Sequence, residues 1–200
     1  MLDYGIFYEF LPMEYIGESH PKTYTLDQVE VGKNYALIIS TNAGLWRYMI
    51  GDTIRFTSIS PYRFQISGRT TAYINTFGEE LIVDNADQAI LSASLATGAS
   101  VNDYTAGPVY FEDGKAGAHE WVIEFTQQPS CFRTFCEALD SKLREINSDY
   151  DAKRYKDMAL TFPIIHNAPA NTFYEWMKSR GKLGGQNKVP RLANDRSFIE

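Results

Sequence analysis

Short, apolar-rich, β-like bursts mark the first third of the chain. They are IFYEFLP (6–12), NYALIIST (34–41), LWRYMI (45–50), TIRFTSI (53–59) and YRFQIS (62–67), separated by Gly, Pro, Asn and Ser. Short β-like runs bounded by such residues predict strands. Five short strands between Gly5 and about Ile74 suit a small antiparallel barrel or meander. Between Pro12 and Gly32, the segment from Thr25 to Val31 reads as a connector that carries a turn before the second strand.

After Arg69 the period changes. TTAYINTFGEEL predicts a short strand and a glycine turn. DNADQAILSASLATG then places Ala86, Ile90, Leu91 and Leu95 near helical spacing, with Asp84 as N-cap and Gly98 as stop. VNDYTAGPVYF and HEWVIEFT read as two strands around the hairpin-like EDGKAGA. A helix follows from about Ser130 to Asn147, with Phe135, Leu139, Leu143 and Ile146 on one face. DMALTFPIIH predicts one more strand, and NTFYEWMKSR a last helix that ends at Gly181. Strand, helix, strand, strand, helix, strand is the ferredoxin-like order. The expected fold class is therefore α+β: a small antiparallel β-barrel or meander over residues 1–69, then a ferredoxin-like α/β sandwich over 70–200, with the boundary at Gly68-Arg69-Thr70. No internal repeat or low-complexity stretch interrupts this plan.

Composition narrows the partners. Apolar residues make up 44% of the 200 and aromatic residues 14%, enough to build a sizeable core. Net charge is -6, from 25 acidic and 19 basic residues, and no basic stripe is present to neutralise a phosphate backbone, so nucleic acid is not an expected partner. Nor does any apolar run approach the ~20 residues that span a bilayer, so the reading is no membrane partner and a cytoplasmic protein. Cys131 and Cys136 fit neither a CxxC pair nor a disulfide framework and are expected as buried thiols. His20, His119 and His166 lie far apart with no ligand spacing, so no metal site is expected. The chain enters directly on an aromatic strand pattern, DYGIFYEFLP, which reads as the start of an excised fragment.

Three stretches can carry chemistry. In TNAGLWRYMIGDT, Asp52 follows Gly51 between two strand patterns. It is either a turn aspartate or a carboxylate at a strand end, whose two oxygens can accept both hydroxyls of a vicinal diol such as ribose. Arg69, in SGRTT at the domain boundary, is either a surface ion-pair partner or a fork onto sugar or phosphate oxygens. The tail KSRGKLGGQNKVPRL is either a solvated basic end or a glycine-rich loop that delivers one lysine, best Lys188, to an anion. Glu79-Glu80 reads as a helix approach or a solvated pair. Neither GxxxxGK[ST] nor GxGxxG occurs, so the chain lacks a phosphate cradle of its own.

Taken together, FYEFLP, TNAGLWRYMIGD, YRFQISGRT and LGGQNKVPR resemble the auxin-responsive Gretchen Hagen family of acyl acid-amido synthetases, within the adenylate-forming superfamily. The resemblance extends along essentially the whole chain and is nearest to bacterial members. It implies ATP and Mg²⁺ as cofactors of the intact protein, with a carboxylic acid and an amino acid or other amine as substrates. By position, Asp52 would bind the ribose hydroxyls, Tyr48 would lie near the nucleotide, and Arg69 would contact the ribose or the hinge. Lys188 would reach the α-phosphate and the reacting carboxylate, in a lid that turns about residues 68–71.

The family's Ser/Thr-rich phosphate loop and Tyr-Ala-Ser-Ser-Glu-like motif lie upstream of what this chain contains. Its partner is thus expected to be the missing N-terminal part of the same polypeptide, without which these residues do not complete a site. Gly78 stands where plant relatives carry a loop lysine. Two other functions remain open on the sequence: an acyl-CoA ligase that passes the acyl group to a thiol, and a lid-derived interaction domain without catalysis.

Overall fold

Four strands, not five, form from the β-like segments: β1 (Phe7–Pro12), β2 (Asn34–Ser40), β3 (Tyr48–Ile59) and β4 (Tyr62–Arg69). The structure is a computed structural model that describes residues 5–111, 116–184 and 187–199. The chain divides into two units, Met1–Thr71 and Ala72–Glu200, each with its own core.

In the first unit each strand pairs antiparallel with the next, in the order β1-β2-β3-β4. The sheet is a meander. Among the described residues no pairing joins β4 back to β1, so the barrel is not closed. The expected strand break at Gly51-Asp52 is instead a bulge within β3. Between the pairs Ala36↔Thr53 and Ile38↔Met49, Leu37 alone opposes Ile50, Gly51 and Asp52. Gly51 takes φ +94° there, a left-handed conformation that costs an L-residue about 1–2 kcal/mol. The extra residues are absorbed by bending the strand without ending it.

Phe10, Tyr35, Ile54 and Phe56 fill the core of this unit and are essentially inaccessible. Phe10 and Phe56 meet edge-to-face with ring centroids 5.2 Å apart, the arrangement favoured by the ring quadrupoles. The buried Tyr35 keeps its hydroxyl satisfied by accepting the Glu30 N–H at 2.9 Å.

The second unit contains β5 (Tyr73–Ile74), β6 (Leu81–Ile82), α1 (Val83–Thr97), β7 (Ser100–Val109), β8 (Ala118–Gln127), α2 (Phe132–Ile146), α3 (Ser148–Arg154), β9 (Ile164–Ala168) and α4 (Thr172–Ser179). It is a mixed α/β unit, but its sheet is not the ferredoxin-like one. That arrangement needs the first strand inside a four-stranded antiparallel sheet. Here β5 forms a separate ribbon with β6, and the main sheet runs β7-β8-β9 with β9 parallel to β8. The parallel neighbour follows from the crossover through α2 and α3, which is long enough to return the chain in the same direction. The free edge of β7 is taken by the C-terminal segment: the Ala106 N–H donates to the Arg191 carbonyl at 2.9 Å, and the Ala193 N–H to the Ala106 carbonyl at 3.1 Å.

Helix α1 is rotated relative to expectation. Its buried stripe is Ala86, Ala89, Ile90, Ala93 and Thr97, whereas Leu91 and Leu95 are 59% and 77% exposed. Small residues on the buried face let α1 pack closely against α2, and the two larger leucines are left outside. Its N-cap is Ile82 and not Asp84; the Asn85 Oδ1 accepts the Ile82 N–H at 3.3 Å. Gly98 ends the helix at φ +67°. In α2, Phe135, Leu139 and Leu143 are fully buried against Trp121, Ile123 and Phe125 of β8.

Of the predicted strand DMALTFPIIH only the end from Ile164 joins β9, which runs on to Ala168, while Leu160 makes an isolated bridge to Gly117. The expected hairpin EDGKAGA includes residues 112–115, which lie outside the described residues. On the other face of the sheet, Thr105 and Val122 line a cavity of about 130 Å³ together with Phe173, Trp176, Pro190 and Phe198.

Candidate functional site

Asp52 and Arg69 are cross-strand partners in the first unit, at the last rung of the β3–β4 ladder. The Arg69 Nε is 3.4 Å from the Asp52 Oδ1, and the side chains are 68% and 34% exposed. The bulge that carries Asp52 is tied to the start of the interdomain segment. Thr70 donates its N–H to the Gly51 carbonyl at 2.9 Å, and its hydroxyl reaches the same oxygen at 3.4 Å. Directly beneath, the buried Ser67 hydroxyl donates to Thr53 Oγ1 at 3.2 Å. The result is a carboxylate on a braced bulge with a loosely held guanidinium beside it. One rung of the sheet thus combines an acceptor pair suited to a vicinal diol with a cation suited to a phosphate or sugar oxygen. Tyr48 opens β3 and is half exposed.

Lys188 belongs to the second unit. It is exposed on the rim of a cleft of about 460 Å³, lined also by Asn102, Asp103, Tyr174, Met177 and Lys182. The segment that follows it is not the free basic end that its composition allows. The Thr105 hydroxyl donates to the Pro190 carbonyl at 2.8 Å, and Leu192 is buried in the main core. The Arg191 guanidinium stacks on the Tyr104 ring at 4.4 Å from its centroid. Its Nε lies 3.5 Å from Asp103 and its Nη1 3.7 Å from Asp87. Burial pushes the Asp103 carboxyl up, against the pull of Arg191. Burial and then the 2.6 Å hydrogen bond to Asp87 raise the Tyr104 hydroxyl.

Two buried polar groupings escaped the sequence reading. Glu79, expected in a helix approach or a solvated pair, is completely buried and meets His119 Nε2 at 2.8 Å, while its second oxygen accepts the Phe77 N–H at 2.7 Å. Asp140 accepts the Tyr150 hydroxyl at 2.7 Å and two donors of the buried Arg154 at 3.0 and 3.1 Å. Their partners are 40, 10 and 14 residues apart, and no local spacing rule links such separations. Gly78, at φ +83°, has the Lys153 Nζ 3.4 Å from the place where a Cβ would stand. Among the described residues, no group of three or more His, Cys, Asp or Glu side chains converges to hold a metal ion. Among the described residues no helix is long and apolar enough to cross a membrane.

Residues 1–69 match the GH3 family central domain, and residues 84–197 match the GH3 family C-terminal domain. The chain is similar to indole-3-acetic acid-amido synthetase GH3.3 of Arabidopsis thaliana, with 26% identity over 97% of this chain and 34% of that protein. Against indole-3-acetic acid-amido synthetase GH3.8 of Oryza sativa subsp. indica the identity is 29%, over 97% of this chain and 34% of the relative. Among solved structures, GH3.15 acyl acid amido synthetase superposes on 97% of this chain and 35% of its own, with a TM-score of 0.68 at 20% identity, a likeness of fold. The chain thus spans about a third of the length of the relatives it matches. With two consecutive family domains matched in order over nearly its whole extent, the chain belongs to the GH3 family.

Proposed function

We propose that this chain is the C-terminal part of an ATP-dependent, acyl-adenylate-forming amido synthetase that joins a carboxylic acid to an amino acid or another amine. The observation that carries the reading is the Asp52–Arg69 rung, which offers the two acceptor oxygens and the adjacent cation that a nucleoside needs. In the first half-reaction an oxygen of the acid attacks the α-phosphorus of ATP, and the bond to pyrophosphate breaks. In the second, an amine attacks the acyl carbon, AMP leaves, and the amine nitrogen loses a proton.

Asp52 accepts the two ribose hydroxyls, Arg69 holds a sugar or phosphate oxygen, and Tyr48 flanks the nucleotide. Lys188 donates to oxygens of the α-phosphate and the reacting carboxylate, where charge is shared between reactants, and so favours the transition state over the separate ground states. The exposure of Asp52 and its long contact with Arg69 fit a ribose, because its oxygens can exchange water for sugar hydroxyls without first being freed from a strong partner. For Mg²⁺ the described residues offer no carboxylate cluster, which fits an ion bound chiefly through substrate phosphates and water. The phosphate-binding groups and the acyl pocket belong to the upstream part of the same polypeptide. Residues 68–71 serve as the hinge on which the second unit turns between half-reactions.

The test is acid-dependent exchange of labelled pyrophosphate into ATP by the full-length polypeptide. Exchange with at least one acid of a broad panel, followed by amide formation with an amino acid but no thioester with coenzyme A, is the expected result. Thioester formation would make it an acyl-CoA ligase, and the absence of exchange with every acid would leave a non-catalytic interaction domain.

A further inference from the structure

Lys188 is two residues from a clamp. On its N-terminal side the chain is permissive, with Gly181 at φ +64° and Gly184 at φ +82°. On its C-terminal side Pro190, Arg191, Leu192 and Ala193 are fastened to β7. The carbonyls of Pro190 and Arg191 accept from the Thr105 hydroxyl and the Ala106 N–H, and the Ala193 N–H donates back to the Ala106 carbonyl. Backbone bonds of this kind hold the segment in register but do not by themselves hold the residue before proline. The side chain of Arg191 adds a second attachment on the cleft side: its guanidinium covers the Tyr104 ring, with Asp103 and Asp87 on either flank. Asp103 and Arg191 both line the cleft on whose rim Lys188 stands.

We propose that Arg191 is a positioning residue for Lys188: stacked on Tyr104 and flanked by Asp103 and Asp87, it pins the lysine-bearing segment to the edge of β7 and so aims the ammonium. This rests on the role proposed above for Lys188. The lysine then moves with the second unit as a body. Arginine suits this position because its planar fork can stack and pair at once, which an ammonium on a flexible stem does not do. A lysine at position 191 therefore keeps the charge opposite the two aspartates while losing the stack.

The experiment uses the full-length polypeptide with Arg191→Ala, Arg191→Lys, Lys188→Ala and the double variant Lys188→Ala/Arg191→Ala. Two readouts are taken: the rate of acid-dependent pyrophosphate exchange, and amide hydrogen exchange at residues 187–189 and Ala106. Arg191→Ala is expected to slow adenylation about tenfold or more with the KM for ATP within about twofold, and Arg191→Lys to recover part of the loss. In the Lys188→Ala background Arg191→Ala is expected to have no further effect, because both act through one ammonium. Amide exchange should rise about tenfold at 187–189 and Ala106 while the α1 and α2 amides are unchanged, which also shows that the variant is folded.

Equal losses from Arg191→Ala in both backgrounds would make its role merely structural and overturn the proposal. Unchanged amide exchange would overturn it whatever Lys188 does. Loosened amides with a fully active Lys188→Ala would instead sink the role of Lys188, and Arg191's part in the reaction with it.

Discussion

Asp52 on β3 and Arg69 on β4 occupy one rung of the ladder, with Oδ1 and Nε 3.4 Å apart at the edge of the interdomain segment. An ion pair this exposed contributes about 0–1 kcal/mol to stability. Asp52→Ala is therefore expected to leave the melting temperature nearly unchanged while raising the KM for ATP of the full-length polypeptide by about tenfold or more, the loss of two charge-assisted hydrogen bonds. A variant with an unchanged KM for ATP would remove Asp52 from the nucleotide site.

Gly117 begins the approach to β8 with no room for a side chain. A Cβ there would stand 2.2 Å from the Phe77 Cζ and 2.5 Å from its Cε1, and Phe77 is itself held edge-to-face against Phe111 at 4.9 Å. Gly117→Ala should cost about 1–3 kcal/mol through overpacking, read as a lower urea midpoint. Restoration of stability by Phe77→Leu in the same chain would confirm the ring as the obstacle.

Asp140 and Arg154 are 6% and 7% exposed and joined by a two-pronged ion pair. Removing the carboxylate leaves a guanidinium buried without its principal partner. Asp140→Ala is accordingly expected to destabilise the second unit by about 3–5 kcal/mol. Asp140→Asn, which retains an acceptor for Tyr150 and Arg154, should cost distinctly less. Equal losses in chemical denaturation would show that charge, and not hydrogen bonding, dominates.

The two cysteines, five positions apart, differ in their surroundings. Cys131 is exposed at the start of α2, contrary to the expectation of two buried thiols, and Cys136 is buried. Hydrogen bonds from the Thr134 side chain and backbone lower the Cys131 thiol below its ordinary range, whereas burial raises Cys136. Alkylation tracks the thiolate. Cys131 should therefore label first in the native protein, with a rate that rises with pH and levels off at lower pH than a free cysteine. Cys136 should label only on unfolding, and peptide mass spectrometry distinguishes the two. Equal labelling of both in the native state would contradict the burial of Cys136.

Much of the local structure was legible because it depends on near neighbours. The short apolar-rich runs NYALIIST and YRFQIS place β2 and β4, the i, i+4, i+8 run Phe135, Leu139, Leu143 places α2, and Gly98 stops α1 by taking a left-handed φ that other residues resist. The candidates Asp52 and Arg69 stand directly after glycines in the sequence, and Lys188 three residues beyond a glycine pair.

What these runs could not decide was how those segments associate. Gly51 is compatible with a turn or a bulge, and only pairing with both β2 and β4 makes it a bulge inside one long strand. A leucine at helical spacing can face either way. The alanine face of α1 is turned inward because α2 packs there, and Leu91 and Leu95 are left in solvent.

The ferredoxin-like order anticipated α1, β7, β8, α2 and β9 but not β6 or α3, and it implied a different sheet. Strand neighbours are chosen by long-range pairing, and the β7 edge is filled by the tail through Ala106. The same long-range contacts bury Glu79 against His119 and seat Arg191 on Tyr104. By itself the sequence determined which segments are strands or helices and which residues carry charge near a turn, since backbone sterics and hydrophobic period act over a few residues. Tertiary structure alone decided which of those charges meet, because a hydrogen bond or an ion pair reads distance in space and not separation along the chain.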